Sequence, residues 1–507
     1  MFRPRFFLGL LVISILAGAI GADDKEQKKD DSKKEVVDKI SKTSHHLTID
    51  GKELGYTAQA GTLVMKDEEG KPKANFFFIA YTLDGVKDKT RRPITFSFNG
   101  GPGSSSVWLH LGVLGPRRVF LNEDGAAPAP PYRLIPNEYS LLDKTDLVFI
   151  DPVSTGYSRP APGENPRQFH GVEEDIHSVG EFIRLFTTRY ERWSSPKFLI
   201  GESYGTTRAA GLSNYLQDRF GMYLNGVMLV SVVLDFQTIS FGAGNDLPYV
   251  LFLPSYAATA WYHHQLPEEL QSQSLEAVLE QAERFALRDY SAALLRGDSM
   301  PRAERDRIVR ELSRFTGLEP DYIDRAGLRV SMGPFAKELL RRERRTIGRY
   351  DSRYVGVDRD ATGQSFEYDP SYAAVQGLFT ATFYDYVRGE LKFESDLPYE
   401  ILTGKVRPWN FGEYQNRYVD MGESLREAVT KNPYLKVFMA AGFFDLATPF
   451  LATKYTIDHL GLSPMLRKNV SLGFYRAGHM MYLHKPSLEK LRDDLAKFID
   501  TAIPGER

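Results

Sequence analysis

Residues 197–216 constrain the fold more than any other part of the chain. A short apolar run at 197–200 predicts a strand, the sequence Gly201-Glu202-Ser203-Tyr204-Gly205 follows it, and residues 206–216 are compatible with a helix. A sharp strand-to-helix turn of this type lifts one hydroxyl above a sheet, and flanking glycines leave the space that the turn needs. Gly-x-Ser-x-Gly often arises by chance, so the preceding strand and the further segments described below carry the interpretation of Ser203 as a candidate nucleophile.

Short apolar runs alternate with helical patterns along much of the chain. Apolar residues recur in steps of three and four between 172 and 190, which predicts a helix with one apolar stripe. This alternation favours an α/β fold with a mostly parallel central sheet. Runs at 55–58, 61–65 and 76–81, separated by glycine-rich and charged turns, instead predict an antiparallel meander at the sheet edge. The remaining strands are predicted at 94–98, 147–150, 198–200, 227–234, 437–440 and 470–474.

Composition shifts divide the chain into five predicted segments. Residues 1–22 resemble a signal peptide, because Arg3 and Arg5 precede an apolar run that ends in small residues. Residues 23–45 are dense in Lys, Asp and Glu and predict a charged, disordered linker. The elbow and the strand pattern predict an α/β-hydrolase core in two parts, 46–244 and 433–507. The interval 245–432 interrupts the alternation and is predicted to be an inserted lid, or cap.

The apolar run near the N-terminus, residues 6–20, is shorter than the roughly 20 residues that a membrane span needs. We therefore predict a secreted or periplasmic protein with no membrane span in the mature chain. An uncleaved anchor is the alternative that remains open.

The composition of the 507 residues excludes several classes of function. A net charge of −2 gives no electrostatic basis for nucleic-acid binding. The chain has no cysteine, which excludes disulfides, thiol nucleophiles and thiolate metal ligands. The adjacent histidines at 45–46 and 263–264 lack a third ligand at a suitable spacing, so we predict neither a metal nor a cofactor.

A serine hydroxyl needs a base to take its proton and an acid to orient that base. In α/β-hydrolases the chain order is serine, then aspartate or glutamate, then histidine. Asp445 follows the predicted strand at 437–440, and His479 follows the one at 470–474 in Ala-Gly-His-Met. A single aspartate or histidine after a strand more often has a structural role. The order of Asp445 and His479 after the elbow nevertheless predicts a catalytic triad with Ser203. His484 is the nearest alternative base, at what is predicted to be the start of a helix.

Stabilisation of the tetrahedral intermediate requires N–H donors directed at its oxyanion. Tyr204, which follows the nucleophile, is predicted to provide one donor. The sequence Asn-Gly-Gly-Pro-Gly at 99–103, in a glycine-rich loop after an early strand, is predicted to provide the second. No lysine with an adjacent serine or threonine follows these glycines, which makes a phosphate-binding loop a weak alternative.

These segments together resemble the serine carboxypeptidase family. Four motifs of the family match this chain in the same order. They are the glycine loop at 99–103, the Gly-Glu-Ser-Tyr elbow at 201–204, the aspartate motif at 442–449 and the Ala-Gly-His-Met motif at 477–480. The resemblance implies removal of C-terminal residues from a peptide substrate with a free C-terminus. The roles that it implies are carboxylate binding by Asn99, Gly100 and Glu202, oxyanion donors from Gly101 and Tyr204, and a leaving-group pocket lined by Met480.

The chain also departs from the family pattern. Val113 stands where the family has a second glutamate, and Ser104 stands where it has a disulfide cysteine. The chain also differs from the family pattern at Phe443, Thr206, Arg208 and Ala210. An esterase or acyltransferase on the same scaffold is therefore an open alternative, and a catalytically silent binding protein is a third. Residues 349–353 are interpreted as exposed loop rather than as substrate contacts.

Overall fold

A ten-stranded sheet forms the centre of the fold in a computed structural model that describes residues 36–122 and 125–503. From residue 37 onward, the described residues fall within one compact unit. The strands are β1 (Lys39–Ile49), β2 (Lys52–Lys66), β3 (Pro72–Leu83), β4 (Ile94–Phe98), β5 (Arg117–Val119), β6 (Leu134–Pro136), β7 (Asp146–Ile150), β8 (Arg159–Pro160), β9 (Lys197–Glu202), β10 (Gly226–Val230), β11 (Thr346–Ile347), β12 (Val355–Gly356), β13 (Lys436–Gly442) and β14 (Val470–Tyr475). The α-helices are α1 (Val107–Leu109), α2 (Val172–Arg189), α3 (Tyr204–Phe220), α4 (Leu247–Tyr262), α5 (Glu268–Gln271), α6 (Leu275–Phe285), α7 (Ser291–Arg296), α8 (Arg302–Thr316), α9 (Pro320–Arg325), α10 (Met332–Glu338), α11 (Pro370–Asp385), α12 (Gly422–Lys431), α13 (Phe450–Asp458), α14 (Pro464–Arg467) and α15 (Lys485–Ala502).

The sheet order is β1-β2-β3-β7-β4-β9-β10-β13-β14, with β8 paired to β3. Strands β7, β4, β9, β10, β13 and β14 are parallel, whereas β1, β2 and β3 extend the sheet by antiparallel pairing. The predicted α/β fold with a mostly parallel sheet and an antiparallel edge is thus confirmed. Because the parallel strands all point the same way, the loops that leave their carboxyl ends meet at one edge.

Both faces of the parallel sheet are buried. Helices α2, α3 and α12 contribute to an apolar cluster on one face, and α11 and α15 contribute to the cluster on the other. Every residue of β4, β7 and β10 is buried, which explains why these strands read as continuous apolar runs.

The N-terminal edge differs from the sequence-based prediction. The predicted linker, 23–45, overlaps β1, which begins at Lys39 and pairs with β2 along its whole length. Exposed and partly buried residues alternate in β1, so its charged residues face solvent along an edge strand. Asp50 and Gly51 both have positive φ, at 49° and 74°, which suits a two-residue hairpin turn. Residues 1–35, including the predicted signal peptide, lie outside the described part.

Two short strands predicted at 55–58 and 61–65 are one continuous strand, β2. A Cβ atom on Gly61 would lie 2.1 Å from the carbonyl oxygen of Lys39. This glycine therefore permits close approach of β1 and does not mark a turn.

The predicted lid interval, 245–432, packs in more than one place. Helices α4 to α10 form a separate apolar cluster that also includes residues around Phe444 and Phe450. Helix α12 instead packs against α3 in the helical layer of the sheet, so this part of the interval lies with the core. None of the helices in the described part is long and apolar enough to cross a membrane.

Candidate active site

Ser203 occupies a strained turn between β9 and α3. Its φ is 59° and its ψ is −129°, a backbone conformation that residues with a Cβ atom rarely adopt. A Cβ atom on Gly201 would lie 2.1 Å from the carbonyl oxygen of Gly205, which explains the need for glycine on this side of the serine. The strand, the turn and the helix are arranged as in the nucleophile elbow predicted from the sequence.

The structure brings His479 and Asp445 into contact. His479 Nδ1 lies 2.7 Å from Asp445 Oδ2, and both side chains are buried. Asp445 follows β13 and His479 follows β14, so neighbouring parallel strands place them at the same edge of the sheet. His484 lies outside this contact and bonds to Ser487 Oγ at 2.9 Å at the start of α15.

Surrounding groups hold the histidine and the aspartate in place. Asp445 Oδ1 accepts hydrogen bonds from the N–H groups of Ala447 and Thr448, and Thr448 Oγ1 donates to Asp445 Oδ2 at 2.8 Å. Ser231 Oγ donates to the carbonyl oxygen of His479 at 2.5 Å. Thr448 and Ser231 were not predicted from the sequence, because no local pattern distinguishes them from other hydroxyl residues.

Opposing effects act on the His479 imidazole. Burial lowers its pKa, whereas the charges of Asp445 and Glu202 and the hydrogen bond to Asp445 raise it. The net result is a pKa above the ordinary value of 6.5, since the carboxylates outweigh the burial. An imidazole paired in this way is a stronger base than one buried without a carboxylate.

Ser203 and His479 line one cleft, which also contains the residues predicted to bind substrate. The cleft encloses about 540 Å³, including space open to solvent. The predicted residues that line it are Asn99, Gly100, Gly101, Glu202, Ser203, His479 and Met480. The structure therefore collects the predicted substrate-binding residues around Ser203 and His479, with Asp445 directly behind the histidine.

The glycine loop lies against the start of α3. A Cβ atom on Gly100 would lie 2.4 Å from the backbone nitrogen of Tyr204. Tyr204 is the first residue of α3, so its N–H has no acceptor within the helix. Together with Gly101 in the cleft wall, this arrangement is compatible with the predicted pair of oxyanion donors.

Glu202 is buried beside the nucleophile and binds Asn99. Asn99 Nδ2 donates to Glu202 Oε1 at 3.0 Å, and Glu202 is 3% exposed. Burial raises its pKa to about 7, although the charge of His479 opposes the shift. Glu202 can therefore lose or gain a proton near neutral pH.

Tyr482 lies beside Glu202, where its hydroxyl lowers the pKa of the carboxyl group. Within the described part of the chain, Tyr482 Oη and Glu202 Oε2 have no hydrogen-bond partner of ordinary length. The Tyr482 ring packs so closely on Gly112 that a Cβ atom there would lie 2.3 Å from it. Val113, which the family resemblance places at the position of a second acid, is fully buried.

Further residues of the cleft were not predicted. Ser104 Oγ donates to the carbonyl oxygen of Ile401 at 3.1 Å and accepts from Trp108 Nε1 at 3.0 Å. Hydrogen bonds thus connect the glycine loop to the segment around residue 401 at Ser104, which the family resemblance places at the position of a cysteine. Tyr350 packs beside His479, with 5.0 Å between the ring centroids. The other unpredicted lining residues are Arg349, Tyr372 and Leu402.

Arg208 contacts the glycine loop from α3 and holds it in place. It is 1% exposed, pairs with the buried Asp175 at 2.7 Å and donates through Nη1 to the carbonyl oxygen of Asn99 at 2.6 Å. Arg208, which departs from the family pattern, therefore holds the glycine loop in place through Asn99.

We expect Arg208→Met to lower the free energy of unfolding by about 3–5 kcal/mol, because it leaves the Asp175 carboxyl group buried without its partner. Urea unfolding followed by circular dichroism measures this effect. The exposed Arg219 in the same helix provides the matched control, and Arg219→Met should change stability by less than about 0.5 kcal/mol. Equal unfolding midpoints for the two variants would contradict the anchoring role of Arg208.

A mostly parallel sheet with a serine elbow and a His–Asp pair at the carboxyl edge is the arrangement of an α/β-hydrolase. The model of the serine carboxypeptidase family matches residues 52–479. The chain therefore belongs to the serine carboxypeptidase family, a family of serine-type hydrolases.

Individual relatives match shorter parts of the chain. Over 145 residues it is 33% identical to the pheromone-processing carboxypeptidase KEX1 of Saccharomyces cerevisiae, covering 27% of this chain and 19% of that protein. It is 25% identical over 239 residues to serine carboxypeptidase-like 29 of Arabidopsis thaliana, covering 45% of this chain and 44% of the relative. The chain thus spans less than half the length of these curated relatives.

The fold also matches a solved structure of this family. The crystal structure of the Saccharomyces cerevisiae KEX1 protein, a prohormone-processing carboxypeptidase, superimposes with a TM-score of 0.53. The match covers 88% of this chain and 91% of that one at 17% identity, so it supports the fold alone.

Proposed function

We propose that the protein is a serine carboxypeptidase that removes C-terminal residues from peptides through an acyl-enzyme on Ser203. The observation that carries this proposal is the buried Asn99–Glu202 pair, which lies in the same cleft as Ser203 and His479. A neutral carboxyl group and an amide can donate hydrogen bonds to a substrate carboxylate, which an exopeptidase has to recognise.

The proposed reaction begins with attack of Ser203 Oγ on the carbonyl carbon of the last peptide bond. His479 Nε2 accepts the serine proton and passes it to the leaving amine, while Asp445 holds the Nδ1 proton and stabilises the imidazolium. The N–H groups of Gly101 and Tyr204 stabilise the oxyanion, and Met480 lines the pocket of the leaving residue. Water then attacks the acyl-enzyme, with His479 acting again as general base.

The proposed carboxylate binding makes activity sensitive to pH. The active form needs a neutral His479 and a protonated Glu202. As pH increases, kcat/KM for a free-acid peptide therefore rises when His479 loses its proton and falls when Glu202 loses its proton. The fall should be centred near pH 7, the pKa of Glu202. Above pH 7, the Glu202 carboxylate repels the substrate carboxylate.

We expect Glu202→Gln to remove this fall, because the amide cannot ionise. The acidic rise should keep its position, since Glu202 raises the pKa of His479 only through its charge and is mostly uncharged below pH 7. Profiles of kcat/KM against pH, measured with a free-acid peptide and with an ester that has no carboxylate, test both expectations. A fall near pH 7 that persists in Glu202→Gln would assign the alkaline limb to another group.

The proposal is tested by comparing one peptide as the free acid and as the C-terminal amide. We expect stepwise loss of C-terminal residues from the acid, seen by mass spectrometry, and cleavage of the amide that is slower by about 100-fold or more. Equal cleavage of both would refute an exopeptidase.

An esterase or acyltransferase is the second candidate function. Acyl-enzyme chemistry is shared by all three reactions. The resemblance implies a second acid paired with Glu202, and valine at position 113 in its place favours this alternative. Turnover of esters without cleavage of free-acid peptides would support it. The signal-like N-terminus supports a secreted or periplasmic location for either enzyme, which also remains a proposal.

A further inference from the structure

Arg349 lies in the active-site cleft, although its segment is predicted to be exposed loop. The structure places it among the lining residues with Ser203 and His479, and its side chain is partly buried. Its positive charge lowers the pKa of His479, although the carboxylates of Asp445 and Glu202 outweigh this effect. A cation therefore faces the space where a substrate meets the reacting groups.

Two hydrogen bonds fix the backbone of Arg349 next to the triad. Its N–H donates to Asp369 Oδ1 at 3.1 Å, and its carbonyl oxygen accepts from the N–H of Leu446 at 3.0 Å. Leu446 is the residue that follows Asp445. The N–H of His479 in turn donates to the carbonyl oxygen of Tyr350 at 2.6 Å. The segment is thus bonded to the loops of both the acid and the base.

The side chain of Arg349 packs on an aromatic ring rather than on a carboxylate. Its guanidinium lies over Tyr350, 5.3 Å from the ring centroid. Other arginines of the same region form ion pairs, such as Arg341 with Glu338 and Arg353 with Asp351. Among the residues that the structure describes, Arg349 has no acidic partner within ion-pair distance.

A guanidinium presents a planar set of N–H donors that matches a carboxylate, and aromatic walls around it weaken competition from water. The walls here are Trp108, Tyr350 and Tyr372. We propose that Arg349 is a specificity-determining residue that binds a carboxylate of the substrate. The inference rests on the proposed function, because a peptide offers this group either at its C-terminus or on an acidic side chain beside the scissile bond.

Binding to an inactive form tests the inference without any need for turnover. In a Ser203→Ala background, we would measure calorimetrically the affinity for an N-acetylated tripeptide ending in leucine, as free acid and as amide. The two further pairs would be amidated tripeptides. One pair would carry glutamate or glutamine next to the leucine, and the other pair would carry glutamate or glutamine at the last position. The first pair reports the terminal carboxylate, and the other two report a side-chain carboxylate.

We expect Arg349→Gln to weaken binding of at least one carboxylate ligand by about 10- to 100-fold and to change its uncharged counterpart by less than about 2-fold. Arg349→Lys should recover part of the loss, since it keeps the charge without the planar donors. Arg345→Gln is the matched control, because Arg345 is exposed four residues away.

Equal weakening of charged and uncharged ligands, or no weakening of any carboxylate ligand, would overturn the role of Arg349. Failure of the proposed function gives a different result: active enzyme would leave every free-acid peptide intact, whereas the binding comparison would still decide whether Arg349 recognises carboxylates.

Discussion

Substitution of Ser203 by alanine should lower kcat by on the order of 10⁶-fold while the protein stays folded. The hydroxyl is the proposed bond-forming group, and alanine removes it from the strained turn between β9 and α3. Alanine keeps the Cβ atom and therefore the backbone constraint at φ 59°. Steady-state hydrolysis of an activated ester measures the loss at high sensitivity.

The control for this variant separates chemistry from folding. Ser203→Ala should keep the circular dichroism spectrum and melting temperature of the wild type, and Ser299→Ala, at an exposed position, should keep full activity. Substantial turnover by a folded Ser203→Ala protein would exclude a covalent mechanism on this residue.

Asp445→Asn should reduce kcat by about 10⁴-fold. In the native site, Asp445 Oδ1 accepts from two backbone N–H groups, and Oδ2 accepts from Thr448 and lies 2.7 Å from His479 Nδ1. The asparagine oxygen will stay on the two backbone donors, so its NH₂ group will face the histidine. That contact makes Nδ1 an acceptor and places the imidazole proton on Nε2, where it blocks proton transfer from Ser203.

Comparison with Asp458→Asn isolates this effect, because Asp458 is exposed on α13 and loses the same charge. The measurement is kcat at a pH at which the wild-type enzyme has its neutral histidine. A loss of less than 10-fold in Asp445→Asn would mean that Asp445 does not orient the catalytic base.

Local patterns were sufficient to predict the elements that carry the triad. Strand β4 matches the prediction at 94–98, because burial on both faces leaves a continuous apolar run. Helix α2 (Val172–Arg189) matches the predicted helix at 172–190, because burial on one face leaves a periodic apolar pattern. The elbow could be predicted because its glycines serve a local steric need. Strand β1 was missed, since one of its faces is solvated and its charged residues read as a linker.

The rest of the site depends on contacts between distant parts of the chain. Arg349 was predicted to be exposed, yet its segment is held by Asp369 and by the loop after Asp445. Similarly, Ser231 reaches His479 across 248 positions of sequence. No periodicity encodes such contacts, so only the folded chain reveals them.

Activation of Ser203 by the His479–Asp445 pair is central to the proposed mechanism, and labelling with a serine-reactive fluorophosphonate tests this activation directly. We expect intact-mass spectrometry to show one adduct per chain, peptide mapping to place it on Ser203, and Asp445→Asn to slow its formation by orders of magnitude. Folded wild-type protein that forms no adduct, or forms it on another serine, would contradict the account.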